Sequence, residues 1–80
     1  MSRKHHELKT ETQYYQQVEK GIKKFELREN DRDFKEYDLL TLRETVNGVY
    51  TGRSISTLEI KYIFHGGKFG LQEGYCIMCW

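Results

Sequence analysis

Residues 21–28 read Gly-Ile-Lys-Lys-Phe-Glu-Leu-Arg, and within them the pattern changes from that of a helix to that of a strand. Gly21 stands where a helix needs a left-handed cap, because only glycine takes a positive φ there without steric strain. Beyond Gly21 the apolar side chains recur at every second residue, with Phe25 and Leu27 set between charged neighbours. This alternation predicts a half-buried strand over residues 24–28, with Phe25 and Leu27 on its apolar face.

A helix is predicted immediately before this stretch, over residues 11–20. Thr10, followed three residues later by Gln13, has the form of a capping box, in which each side chain satisfies an orphan amide of the first turn. Apolar residues then recur at three- and four-residue steps, the period of an amphipathic helix. They are Tyr14 or Tyr15, Val18 and Ile22. The polar residues 3–9 before the helix form either a short edge strand or an ordered arm.

The segments after Arg28 predict further strands separated by turns. Asn47-Gly48 is a strong hairpin signal, because both central positions of a tight hairpin turn need φ > 0. In chain order, the segments are a charged loop over 29–33, a strand over 38–46, the Asn47-Gly48 turn, a second turn allowed at Thr51-Gly52, a strand over 57–64, a glycine-rich loop over 66–74 and a strand over 75–80.

One N-terminal helix and about five strands predict the α+β class. The expected architecture is a small curved sheet or pseudo-barrel with the helix plugging one side. Residues 1–80 then form a single domain, since a chain of 80 residues holds no more than one core.

The composition excludes a globally basic nucleic-acid-binding protein. The chain is 38% hydrophobic and 31% charged, which is too apolar for a disordered segment, and its net charge is only +1. Any contact with nucleic acid must therefore come from a local cluster of cations. Such a cluster runs from Lys20 to Arg32, with acidic residues interleaved. It is either a binding surface or a solvated face of mixed charge.

No membrane segment, metal or cofactor is expected. The apolar runs fall short of the ~18 residues of a membrane span and no signal peptide is recognisable, which predicts a cytoplasmic protein. Cys76 and Cys79 have C-x-x-C spacing, but residues i and i+3 of a strand face opposite sides and cannot chelate one ion together. Both are expected to be free thiols, neither bridged nor bound to zinc.

The charged residues of the stretch at 21–28 suggest a cleft. Glu26 and Arg28 share one face of the predicted strand, close enough to pair or to bind one ligand. Strict alternation would place Lys23 on the apolar face, where an unpaired ammonium is unfavourable. Either the strand begins after Lys23, or Lys23 opens into a cleft beside an arginine that suits a phosphate or a base edge.

The same stretch resembles the GxKxxExR signature of the ASCH family, within the PUA-like superfamily. Gly21, Lys23, Glu26 and Arg28 carry the match, with a helix predicted before them and strands after. Shorter strings extend the resemblance over nearly the whole chain, at residues 6–9, 30–32, 50–53, 69–71 and 74–75. Together they are similar to a short branch of bacterial and phage ASCH-like proteins.

The resemblance implies a module that binds RNA, a nucleotide or a modified nucleoside. In the ASCH family the motif joins the first helix to a barrel strand and lines a cleft proposed to receive such a ligand. The expected phosphate contacts are Lys23, Arg28 and Arg32, extended by Lys9 and Arg43; the expected base contact is Glu26 or Asn30; and the expected stacking residue is Tyr75. Spacing alone favours a ligand-free surface lattice of ion pairs, an interpretation that the resemblance reverses.

Two other functions stay open. Some ASCH-like proteins resemble amidohydrolases of acetylated cytidine, in which the motif lysine activates a threonine nucleophile and a distal glutamate assists. Lys23 matches that lysine, but Glu26 holds the nucleophile position, and a carboxylate cannot replace a hydroxyl in forming the acyl intermediate. Glu59 and Glu73 are the candidates for the distal glutamate, so catalytic roles would fall to Lys23 and Glu26 only if turnover occurs. The third function is a protein-interaction adaptor that uses the charged loop.

Overall fold

The computed structural model describes residues 3–80, which contain one helix and six strands in two three-stranded sheets. In chain order the elements are β1 (His5–Glu11), α1 (Thr12–Glu19), β2 (Phe25–Glu29), β3 (Leu39–Val46), β4 (Val49–Glu59), β5 (Tyr62–His65) and β6 (Tyr75–Cys79). Sheet I has the strand order β1-β3-β4, and sheet II has the order β2-β6-β5. The α+β class is confirmed. Over residues 3–80 the strands form two sheets instead of one curved sheet, and no closed barrel is present.

Sheet I combines a parallel pair with an antiparallel pair. β1 runs parallel to β3 along its whole length, so the polar N-terminal segment becomes an edge strand, one of its two predicted forms. β3 and β4 are joined by the predicted hairpin at Asn47-Gly48, where φ is 50° and 81°. The turn allowed at Thr51-Gly52 does not form. Gly52, with φ 93°, lies inside β4 where the pairing with β3 shifts, so its positive φ serves a β-bulge.

The strand predicted over residues 57–64 is divided between the two sheets. The amide of Ile60 donates to the carbonyl of Asp38 beside β3 at 2.9 Å, whereas the amide of Lys61 donates to the carbonyl of Cys79 in β6 at 2.7 Å. Consecutive amides therefore bond to different sheets, and the chain crosses from sheet I to sheet II at this point. The crossover accounts for six strands where about five were predicted.

The core is built from both sheets and the helix. Its buried members are Leu8, Val18, Phe34, Leu40, Leu42, Ile60, Ile63, Cys76 and Met78. Ile60 and Ile63 are both buried while Tyr62 is exposed, because the crossover breaks the alternation predicted for residues 57–64. Cys76 is buried and Cys79 is half-buried on the other side of β6, which confirms that the two thiols face opposite ways.

Helix α1 begins where β1 ends, without the predicted capping box. Thr10 still belongs to β1, and Glu11, the residue before the helix, makes no side-chain capping bond. Tyr15 and Val18 form the buried face as predicted, but Ile22 lies beyond the helix end and is exposed. With eight residues, α1 is too short to cross a membrane, and it is the one helix within the described range.

Strand β2 presents the opposite faces to those predicted. Glu26 is only 7% exposed, whereas Phe25 and Leu27 are 43% and 52% exposed. The antiparallel register places Glu26 directly opposite Met78, whose side chain belongs to the core, and residues opposite each other share a face. The register with β6 therefore turns the carboxylate inward and the apolar residues of β2 outward.

Candidate functional site

A cavity of about 570 Å³ opens between the end of β1, the start of α1 and strand β2. β1 and β2 are each the edge strand of their sheet, so the cavity lies along the seam between sheet I and sheet II. Its lining residues are Lys9, Thr10, Glu11, Tyr14, Lys23, Phe25, Glu26, Leu27 and Arg28. Four of the residues predicted for the site, Lys9, Lys23, Glu26 and Arg28, are brought together here.

The end of α1 positions the start of the motif. Gly21 takes φ +77°, which confirms the predicted left-handed cap. The amides of Ile22 and Lys23 both donate to the carbonyl of Gln17 at 3.0 Å, so the chain is held against the last turn of the helix. Lys23 is thereby placed at the cavity before β2 begins at Phe25. Lys23 therefore precedes the strand and also opens into the cavity, so the two predicted alternatives for it occur together.

The charged motif residues form a triad around the Glu26 carboxylate. Lys23 Nζ donates to Glu26 Oε1 at 3.1 Å, and Arg28 Nε donates to Oε2 at 2.8 Å. Lys23 Nζ also donates to the carbonyl of Phe25 at 2.6 Å. Since both oxygens of the buried carboxylate are bonded to cations, Glu26 orients Lys23 and Arg28, and the triad keeps a net positive charge.

Arg28 and Arg32 also join sheet II to sheet I. Arg28 Nη2 donates to the carbonyl of Lys9, and Arg32 Nη1 donates to the carbonyl of Glu7 at 2.7 Å. Both acceptors belong to the edge strand β1, where backbone groups would otherwise be left open. Arg32 therefore lies outside the cavity and ties the loop after β2 to β1.

Lys9 is the lining cation with the fewest bonds. It makes no ion pair with a carboxylate within residues 3–80, and its Nζ lies 5.5 Å from the centroid of the Tyr50 ring. Arg43, opposite Lys9 in the register of β1 and β3, stacks on the same ring at 3.7 Å and pairs with Glu7 at 3.8 Å. Arg43 lies beside the cavity without lining it. Tyr50, for which the sequence predicted no contact, links the two cations.

The apolar wall of the cavity comes from residues that the sequence placed elsewhere. Phe25 and Leu27 were predicted to face the core and instead line the opening. The sequence left open whether Tyr14 or Tyr15 packs inward; Tyr15 does, which leaves Tyr14 at the cavity. Tyr75, the predicted stacking residue, lies at the far end of sheet II and does not line this cavity.

Asn30 supports a turn outside the cavity. Its Oδ1 accepts a hydrogen bond from the amide of Phe34 at 2.8 Å, and its own amide donates to the carbonyl of Gly74 at 2.8 Å. Because Phe34 is buried in the core, these bonds anchor the charged loop that follows β2. Asn30 thus holds the loop in place and does not reach the ligand position predicted for it.

Thr10 is buried in the cavity wall without a hydrogen-bond partner. Within residues 3–80 its Oγ1 is the one buried side-chain oxygen or nitrogen that has none. Its neighbour across the register, Glu44, accepts instead from Thr51 Oγ1 at 2.7 Å and from Thr12 Oγ1 at 2.8 Å. These bonds, the Thr51 bond first, lower the pKa of Glu44 below its ordinary value. Buried polar groups are nearly always paired, so the Thr10 hydroxyl is an exception among the described residues, and its burial keeps it from contact with the cavity.

A further buried ionisable pair lies away from the cavity. His6 Nε2 and Asp38 Oδ2 are 3.0 Å apart. Burial alone would raise the pKa of Asp38, but hydrogen bonds from His6 and from the amides of Lys4 and Lys35 outweigh it, and the pKa is lowered. The pair fastens β1 to the segment before β3. No cluster of three His, Cys, Asp or Glu side chains suited to a metal ion occurs in residues 3–80.

Comparison with known proteins places the chain in a family without indicating its ligand. The family model described as "Domain of unknown function (DUF3850)" matches residues 5–80. An uncharacterized 12.9 kDa protein encoded in the GpA 3' region of Escherichia phage P2 is 42% identical over 55 residues. That alignment covers 69% of this chain and 50% of the phage protein, so the chain spans about half the length of this relative.

Proposed function

The chain belongs to the DUF3850 family, and from the geometry of its cavity we propose that it binds RNA or a nucleotide. The observation that carries the proposal is the meeting of three cations, Lys9, Lys23 and Arg28, with the exposed rings of Tyr14 and Phe25 in one opening. The three cations suit a phosphate, and the two aromatic rings suit a stacked base. We also propose that the chain is an ASCH-type protein, since its GxKxxExR stretch supplies Lys23, Glu26 and Arg28, which form the triad at the cavity.

The phosphate site would be formed by Lys9 and the outward donors of the triad. Lys23 uses two of its three ammonium donors on Phe25 and Glu26, and Arg28 uses Nε and Nη2, so each retains a donor. The Glu11 carboxylate is drawn away to the amide of Gly48 at 3.2 Å. An entering phosphate would therefore meet an excess of positive charge.

The base would lie against the apolar wall. Stacking on an aromatic side chain contributes about 1–3 kcal/mol per base and tolerates different bases. A cavity of about 570 Å³ is within the usual range for small-molecule sites and has room for one nucleotide. The Glu26 carboxylate, which lines the cavity, would accept hydrogen bonds from a base edge or a ribose.

Binding can be measured by fluorescence anisotropy with short labelled single-stranded RNAs and by NMR titration with mononucleotides. Three phosphate contacts predict a shallow slope of log affinity against log salt, about −2 for a single strand. Lys9→Ala should weaken binding about fivefold and Tyr14→Ala about tenfold, because the first removes a phosphate contact and the second a stacking surface. Both side chains are exposed, so the fold should persist.

Lys35→Ala is the matched control, since Lys35 is an exposed cation that lies outside the cavity and pairs with Asp33. Its affinity should equal that of the native chain. Failure to bind any RNA or nucleotide at low salt would remove the proposal and favour the adaptor function. An equal loss in Lys35→Ala would mean that the measured binding is nonspecific.

A second candidate function, hydrolysis of an acylated nucleoside, is favoured by one observation. Thr10 lines the same cavity as Lys23, although its hydroxyl is buried and it does not stand at the motif position. Lys23 Nζ, however, is directed at two oxygen acceptors, the carbonyl of Phe25 and the carboxylate of Glu26. We therefore expect no turnover of acetylcytidine above background. Turnover that is lost in both Lys23→Ala and Thr10→Val would establish the enzyme instead.

A further inference from the structure

Sheet II carries apolar side chains on both of its faces. The inner face contributes Ile63, Cys76 and Met78 to the core. The outer face consists of Phe25, Leu27 and Glu29 of β2, Tyr75, Ile77 and Cys79 of β6, and Tyr62 and Phe64 of β5, as the register of the two pairs places them. Seven of these eight positions are apolar or aromatic, whereas an antiparallel sheet with a solvated face alternates apolar with polar residues.

The outer face is substantially open. Phe25, Leu27 and Tyr62 are 43%, 52% and 55% exposed. Phe69, 90% exposed, extends the patch from the neighbouring loop, with its ring 6.1 Å from that of Phe64. The helix packs against β1 and β3 of sheet I and leaves this face uncovered. At roughly 200 Å² for each large aromatic residue, the open surface of the patch amounts to about 600 Å².

The outer face carries one charged position, Glu29, at the end where β2 finishes. Lys24 does not belong to this face: the amide of Trp80 donates to the Lys24 carbonyl at 3.1 Å, and Trp80, opposite Lys24, packs against the core. One cation approaches the face at the edge of the cavity, where Lys23 Nζ lies 4.7 Å from the centroid of the Phe25 ring. The centre of the face, formed by Ile77, Cys79, Tyr62 and Phe64, is therefore apolar.

We propose that two copies of this chain pair through the outer faces of sheet II. A twofold axis that lies between the two faces and perpendicular to the strands sets the apolar centres against each other and keeps the two Glu29 carboxylates apart, at opposite ends of the contact. Such a contact is isologous, since the same patch serves both partners. An apolar centre of this kind favours an equally apolar partner surface, which the same face of a second copy supplies.

The area sets the expected strength of the pairing. About 600 Å² from each copy gives a total near 1,200 Å², the lower limit of specific stable interfaces. A dimer in equilibrium with monomer at micromolar concentrations is therefore expected. Phe25 and Leu27 line the cavity as well as the outer face, so the second copy would extend the cavity wall. The pairing does not depend on which ligand the cavity binds.

Sedimentation equilibrium over about 5–500 µM protein tests the proposal, and the native chain should approach the mass of two 9.6 kDa chains. Leu27→Asp places a charge in the patch at an exposed position and should weaken dimerisation at least about tenfold while circular dichroism stays native. Gln13→Asp, which adds the same charge at an exposed position of α1 on the side of sheet I, is the control and should leave the dimer intact.

Tyr62→Asp provides an independent test that does not rely on Leu27. Tyr62 is 55% exposed on β5 and lies outside the cavity, so this change should weaken dimerisation at least about tenfold and leave the cavity intact. A native chain that is monomeric at all concentrations, or a dimer unaffected by Tyr62→Asp, would overturn the proposal. A dimer unaffected by Leu27→Asp would place the contact elsewhere and also reject it.

Discussion

Two buried glutamates, one in each sheet, are bonded in different ways. Glu44 of β3 accepts hydrogen bonds from the hydroxyls of Thr12 and Thr51, which join the helix and β4 to the centre of sheet I. Glu26 of β2 is bonded by two cations, Lys23 and Arg28, at the edge of sheet II. Both carboxylates are satisfied, but only Glu26 lies at a cavity.

The partners of each carboxylate indicate its role. Hydroxyl groups satisfy Glu44 and bring no charge of their own, so that network only ties elements together. Two cations on Glu26 leave positive charge beside an opening, and that excess can serve a ligand. Burial of a carboxylate therefore does not by itself indicate a functional site. The excess charge of its partners, together with access from solvent, does.

The largest effect is expected from Glu26→Ala. Removing the carboxylate leaves Lys23 and Arg28 close together, partly buried and without their partner. Breaking a buried ion pair in this way costs about 3 kcal/mol of the unfolding free energy, out of roughly 4–12 kcal/mol for a chain of this size. Urea denaturation measures it. Glu73→Ala, an exposed control, should change the unfolding free energy by less than about 0.5 kcal/mol. If the two variants lose the same unfolding free energy, the triad contributes no more to stability than a lattice of exposed ion pairs.

The next largest effect is the dependence of stability on pH, through Glu44 of sheet I and Asp38 beside it. The pKa values of Glu44 and Asp38 are lowered in the folded chain, so the unfolded chain takes up these protons first as the pH falls. Their stabilisation is present above the ordinary values of 4.5 and 3.8, and it is lost as the pH falls through the lower folded values. Thermal unfolding from pH 7 to pH 3 should show this loss, and Glu44→Gln should reduce its slope. An unchanged slope in Glu44→Gln would contradict the assignment.

A smaller effect separates two neighbouring threonines. Thr10→Val removes a buried hydroxyl without a partner and should raise the unfolding free energy by about 1 kcal/mol. Thr12→Val removes a donor of Glu44 and should lower it. Ligand affinity should stay unchanged in both variants, since the Thr10 hydroxyl is buried and Thr12 lies outside the cavity. A Thr10→Val variant that is less stable than the native chain would contradict the assignment of an unpartnered hydroxyl.

The smallest effect is chemical and leaves the fold intact. Burial, reinforced by the charge of Asp31, raises the pKa of the Cys76 thiol, and its side chain has no access to solvent. Cys79 is half-exposed on the outer face of sheet II. Iodoacetamide should therefore label Cys79 first, as mass spectrometry of peptides would show. Labelling of Cys79 should slow at protein concentrations where two copies pair. Equal labelling of both thiols would contradict the faces assigned to β6.

The sequence located most of the elements and part of the site. Gly21 marked the end of the helix and Asn47-Gly48 the hairpin, since both signals depend on the φ of one or two residues. Lys23, Glu26 and Arg28 were grouped correctly because they are neighbours in the chain. Thr10, Tyr14 and Phe25 were missed as lining residues. Their place in the cavity depends on β1 and α1 meeting β2, which no local pattern indicates.

Local patterns in this chain indicate where the backbone bends and which residues alternate, because these features depend on steric limits within a few residues. They do not indicate which face of β2 turns inward. Phe25 and Leu27 offer apolar burial on one face, and Glu26 with its two cations offers a satisfied ion pair on the other, so both orientations of the strand are available to the sequence. The register with Met78 of β6 and the crossover at Ile60 decided between them. Those partners are distant in the chain, and the choice therefore belongs to the tertiary structure.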